Sequence, residues 1–141
     1  MDAAEARRAF KDLPAAHVAS AGSEGEPHVA PLWFVWREEA VYLSASRGSR
    51  TWRNLERDPR VSICFDAGRD WVDLAGAVLR GRADLLAAGD PTLRAPMSTW
   101  HEKYRAHLAG DGFRRFAEDV ADLGFLRVAP GRLAAWDHAR A

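Results

Sequence analysis

The residues best suited to chemistry lie in one decapeptide, Ser44 to Arg53, with the sequence SASRGSRTWR. A strand ending here would deliver Ser44 and Ser46 to its tip, Gly48 would permit a tight turn, and Ser49 would cap a helix with Thr51 in its first turn. The first turn of a helix leaves backbone N–H groups without intrahelical partners, and such groups attract anions. Hydroxyls beside them, with Arg47, Arg50 and Arg53 close in sequence, would complete a cradle for a phosphate. The alternative is that Ser49 only caps the helix while the arginines pair with Glu56, Asp58 or water, as surface charges do. Both readings require the same strand, turn and helix.

Other reactive side chains are less organised. His101 and His107, in HEKYRAH, are six residues apart, not the four that place two histidines on one helical face for zinc, so a solvated helix surface is expected and no metal site. His17 and His28 fall in neighbouring predicted strands, where they could meet across a hairpin or serve as ordinary strand residues. Cys64 sits among apolar residues in RVSICFD and reads as a buried, inert thiol. Tyr104 reads as a partly buried helix residue. No Ser/His/Asp set or carboxylate pair is evident, and no catalytic side chain is assigned.

The elements that must position the decapeptide follow from pattern. Residues 2–12 favour a helix that ends at Pro14. Residues 15–21 and 28–36 read as strands around the turn-rich GSEGEP, and residues 41–45 as a third strand in an antiparallel meander. A short helix from Ser49 stops before Pro59. Residues 60–66 alternate as a strand, and 71–86 read as a long strand in which Gly76 and Gly81 could mark bulges or bends. A helical stretch is expected from Pro91 to about Asp122, then two strands flanking Pro130-Gly131. The sum is a mainly β (β+α) domain spanning 1–141, with six or so antiparallel strands in a small barrel and peripheral helices.

Composition narrows the function classes. The 141 residues carry 20 basic and 20 acidic side chains, so no global positive field exists to attract a nucleic acid or a membrane surface. Five arginines, Arg47, Arg50, Arg53, Arg57 and Arg60, are nevertheless concentrated around Trp52. Nucleic-acid binding through them is opposed by the interspersed Glu56 and Asp58. Any basic site must be local and small. The single Cys excludes an internal disulfide and any multi-cysteine metal site, and suggests a reducing, cytoplasmic compartment. No apolar run approaches the roughly 18 residues of a membrane span, and the N-terminus does not resemble a signal peptide. Six Trp exceed what a small core needs, and an exposed aromatic face would favour a dimer.

The succession PHVAPLWFVW, VYLSASRGSRTWRNLERDPRVSICFD and WVDLAGAVLRGRADL resembles the pyridoxamine 5′-phosphate oxidase-like split β-barrels, and within them the flavin/deazaflavin oxidoreductases that use FMN or F420. The resemblance covers most of residues 5–90, and LRVAPGRLAAWD more weakly. It implies a homodimer whose grooves each hold a phosphate-bearing flavin between subunits and hydride transfer to or from a small organic substrate. The segment Ser44, Ala45 and Ser46 with Arg47, Ser49, Arg50, Thr51 and Arg53 would hold the phosphate end. Leu32 and Trp33 would border the ring, with Trp71 a second candidate wall, and backbone donors near Leu32 or Ala45 would face the pyrimidine edge. F420-dependent relatives usually carry Lys where this chain has Thr51, so the cofactor stays open between FMN and F420. The enzyme that oxidises pyridoxamine phosphate resembles a longer chain whose C-terminal extension contributes to substrate-phosphate binding, so vitamin B6 oxidation is not the expected activity. A non-catalytic flavin, F420 or haem binder is the alternative.

Overall fold

The computed structural model describes residues 1–108 and 122–140. Strand burial alternates wherever one face looks into the barrel: β1 (Ala16–Ala21) buries Ala16, Val18 and Ser20, and β5 (Arg60–Ala67) buries Val61, Ile63 and Phe65. Between them in sequence lie β2 (Pro27–Leu32), β3 (Phe34–Arg37) and β4 (Ala40–Ser46). β6 (Ala75–Ala87), β7 (Leu123–Val128) and β8 (Arg132–Asp137) complete the set. Every pairing is antiparallel, in the order β2-β1-β5-β6-β7-β4-β3, with β8 added to β6. Among the described residues the sheet curls into a split barrel of eight strands, against the six or so expected.

Both differences from the expected strands have local causes. The run His28–Trp36 is two strands, because the chain changes partner at Trp33: β2 pairs with β1, whereas β3 pairs with β4. Trp71 does not open a strand. Asp73 accepts from Asp70 N–H at 2.7 Å and from Arg69 N–H at 3.2 Å, which winds Trp71–Asp73 into a 3-10 turn, and β6 begins at Ala75. Neither Gly76 nor Gly81 interrupts β6. Gly76 lies under the Trp136 indole, and Gly81 sits where β6 passes from β5 and β8 to β7.

The barrel interior is filled by Phe34, Leu43, Ile63, Phe65, Leu79 and Leu126, all fully buried. Each such side chain contributes about 1.5–3 kcal/mol relative to exposure. Helix α1 (Ala3–Phe10), closed by an Asp2/Glu5 capping box, places Phe10 against Phe65 with centroids 6.2 Å apart. A second cluster forms on the outer face of β3 and β4, where α3 (Arg94–Tyr104) packs Trp100 and Tyr104 against Val35, Tyr42 and Phe125. The expected helix from Pro91 is therefore a 3-10 turn, α3 and a second 3-10 turn ending at Leu108. Residues 109–121 of that expectation lie outside the described residues.

α3 also closes the free edge of β3. Tyr104 Oη accepts from Phe34 N–H at 2.9 Å and donates to the Pro14 carbonyl at 2.9 Å, while Lys103 Nζ donates to Phe34 O at 2.9 Å. The outward N–H and C=O of Phe34 on this edge strand are thus satisfied within the chain. Burial lowers the Lys103 pKa to about 8 and raises that of Tyr104 to about 12. The tyrosine stacks on Trp33 and links β3 to the chain before β1.

Candidate functional site

β4 ends at Ser46, the chain turns through Arg47-Gly48-Ser49, and α2 (Arg50–Arg57) begins at once. Ser49 is its N-cap, accepting from Trp52 N–H at 3.2 Å. α2 is held to the barrel by its buried side: Asn54 donates to Ser20 Oγ at 3.1 Å, and Thr51, Trp52 and Leu55 are buried. The Trp52 indole presses on Gly124 of β7, where a Cβ would lie 2.5 Å from Cη2 and Cζ3 and 3.2 Å from Arg47 Cγ. The absence of a side chain at Gly124 lets helix and turn settle this low on the sheet.

The turn already holds an anion. The Asp122 carboxylate accepts from Gly48 N–H at 3.0 Å and from Ser46 Oγ at 3.1 Å, and lies 3.5 Å from Arg47 Nε. Arg47 N–H donates to the Asp122 carbonyl at 2.8 Å, tying the turn to the start of β7. A Cβ on Gly48 would stand 3.2 Å from Asp122 Oδ2, so the glycine serves this close approach. Backbone amide, hydroxyl and guanidinium thus converge on one carboxylate, a donor set that also suits a phosphate.

The arginines divide into two groups. Arg57 is bound to Asn54 Oδ1 at 3.2 Å, and Arg60 to Asp58 at 2.7 Å, an ion pair that holds the Asp58 carboxyl down at about 2. Arg50 and Arg53 are exposed, and among the described residues no hydrogen bond or ion pair holds either. Glu26, in the turn between β1 and β2, is kept below the ordinary carboxylate range first by backbone N–H groups of its own turn and then by Arg50 and Arg57. Thr51 is only 2% exposed and faces inward, away from the open side of the turn.

The proposed ring-side residues are arranged less simply. Ser44 donates its N–H to the Trp33 carbonyl at 3.0 Å, so strand alternation directs the Ala45 N–H toward β7, where Ala45 pairs with Gly124. The Ala45 side chain is in the barrel core. Leu32 and Trp33 are partly buried, and Trp33 stacks on Tyr104 with centroids 4.2 Å apart and planes at 7°. Trp100 and His107 flank the same indole at 5.7 and 5.6 Å.

Trp71 is not brought to the turn within one chain. It is 76% exposed at the Ala75 end of β6, whereas the turn adjoins the Ala87 end through Gly124. Roughly 40 Å of strand path separates the two ends, at about 3.3 Å per residue.

The remaining candidates are not gathered into a site. His17 and His28 do not meet, since His17 opposes Pro31 and His28 opposes Ser20. Burial, helped by Asp66, raises the Cys64 pKa, consistent with an inert thiol. Among the described residues no group of three metal-ligating side chains occurs, and no helix is long and apolar enough to cross a membrane. Asp122 and Gly124 were not legible as site residues. Their contacts are made 74 and 72 residues along the chain from Gly48 and Trp52, and the only local sign is a glycine at a strand start.

The Pyridoxamine 5′-phosphate oxidase family profile matches residues 3–137. No functionally curated protein matches the sequence. The fold is similar to that of the conserved hypothetical protein Rv2991 from Mycobacterium tuberculosis, with 25% identity, a TM-score of 0.78, and coverage of 98% of this chain and 86% of that one. A protein described as F420 reductase is 22% identical, with a TM-score of 0.69 and coverage of 90% and 94%. HutZ, the heme storage protein from Vibrio cholerae, is 18% identical, with a TM-score of 0.72 and coverage of 95% and 90%.

Proposed function

This chain belongs to the pyridoxamine 5′-phosphate oxidase family, and we propose on that basis that it is a cytoplasmic oxidoreductase using FMN or F420 to transfer a hydride to or from a small organic substrate. The observation that carries this reading is the carboxylate seated on Gly48 N–H, Ser46 Oγ and Arg47. It marks an anion site at the turn where the family resemblance puts the cofactor phosphate.

When bound, the flavin or deazaflavin supplies the hydride chemistry, and the protein binds, orients and shields it. Ser46, Arg47 and Gly48 would hold the phosphate, and Arg50 and Arg53, exposed on the first turn of α2, would add positive charge beside it. The Trp33 corner, stiffened by its stack on Tyr104, sets the ring end of the groove. Trp71 lies at the opposite end of β6, so a groove walled by both Trp33 and Trp71 would need two copies of the chain, which supports the homodimer that the family resemblance implies.

Fluorescence titration of cofactor-stripped protein with FMN and with F420 tests the reading. Saturable binding of one of them is expected. Binding of neither overturns the flavin reading, and haem is then the ligand to titrate.

A further inference from the structure

The donors assigned to the cofactor phosphate are not idle without it. Asp122 takes the Gly48 N–H at 3.0 Å and the Ser46 hydroxyl at 3.1 Å, with Arg47 Nε 3.5 Å away. A phosphate oxygen cannot accept the same N–H and O–H while the carboxylate does. Two anions crowded on one guanidinium would also repel each other.

Resting on the reading above, we propose that Asp122 is an internal competitor for the phosphate, leaving the turn when a phosphate-bearing cofactor arrives and returning when it departs. The geometry suits a side-chain rotor. The Asp122 main chain is pinned by Arg47 N–H at 2.8 Å, while its side chain is 52% exposed and can turn into water without unfolding β7. Gly48 keeps the path clear, since a Cβ there would stand 3.2 Å from the departing oxygen.

Competition of this kind lowers the apparent affinity for every phosphate-bearing ligand by the fraction of time the turn is free, and leaves a phosphate-free ligand untouched. The exposed ion pair and the two hydrogen bonds to the carboxylate are each weak, so the expected penalty is about three- to tenfold. Asp122 thereby converts a permanently attractive turn into one that admits only ligands able to displace a carboxylate.

The test compares wild type with Asp122→Asn and Asp122→Ala, titrating FMN against riboflavin and F420 against the phosphate-free ribityl deazaflavin. Both variants should bind the phosphate-bearing member of the pair about three- to tenfold more tightly than wild type, with the phosphate-free member unchanged. Addition of inorganic phosphate should raise the melting temperature of the variants more than that of wild type. If wild type prefers the phosphate-bearing member but the substitutions do not change that preference, the competition is overturned and the phosphate site stands. Without any preference in wild type, the phosphate site itself falls. Loss of native near-UV circular dichroism in both variants would make Asp122 a structural residue and overturn the competition as well.

Discussion

The Trp52 indole lies so close over Gly124 that a Cβ on the glycine would come within 2.5 Å of two ring carbons. This contact joins α2 to β7 and sets the height of the turn that carries Ser46, Arg47 and Gly48. The anion site is thus positioned by two residues that never touch the anion.

Gly124→Ala should therefore be destabilising, because the ring has to move and α2 with it. Overpacking of this kind costs typically 1–3 kcal/mol. Urea denaturation followed by tryptophan fluorescence measures it, and the same variant should bind cofactor less tightly. An unchanged midpoint would show that α2 is not held by this contact.

Tyr104→Phe keeps the stack on Trp33 but removes the hydroxyl that links Phe34 N–H to the Pro14 carbonyl. A buried amide left without an acceptor costs about 1–3 kcal/mol. The expected outcome is a lower melting temperature, with hydrogen exchange at Phe34 speeding up more than exchange in β5.

Lys103 introduces a pH dependence. Burial lowers its pKa from 10.5 to about 8 in the folded chain, so between roughly pH 8 and 10.5 the unfolded state binds more protons than the folded one. Its contribution to stability consequently rises with pH through that window, and below pH 8 the charged ammonium carries its full burial cost. Lys103→Met should flatten this part of the stability profile measured by denaturation at stepped pH. A profile unaltered by the substitution would show that Lys103 titrates normally.

Much of the framework was legible because its signals are local. Ser49 as cap, Pro59 as stop and the alternation in RVSICFD locate β4, α2 and β5 from neighbours a few residues away. What was not legible depends on distant partners. Trp33 is apolar like the residues around it, and only the change of pairing from β1 to β4 breaks the strand there. Trp71 reads as strand by type, but the carboxylate of Asp73 winds its backbone into a turn. Asp122 became part of the site only when β7 was laid beside β4.

Trp71 bears on the proposed homodimer. Its side chain is 76% exposed, so Trp71→Ala should leave the stability of a single chain within about 0.5 kcal/mol of wild type. In sedimentation velocity the same change should shift the protein toward monomer at micromolar concentration. A variant as dimeric as wild type would remove Trp71 from the interface.

The central claim is that the turn between β4 and α2 holds the cofactor phosphate, and Arg50 tests it most directly, since among the described residues no hydrogen bond or ion pair holds it and its loss removes only an exposed attraction to Glu26. A partly desolvated charge-assisted contact is worth on the order of 1.5–3 kcal/mol, or roughly ten- to a hundredfold in affinity. Fluorescence titration of Arg50→Ala with FMN and with F420 should show a loss of that size for whichever cofactor the wild type binds. Affinities equal to wild type for both would contradict the placement of the phosphate at this turn.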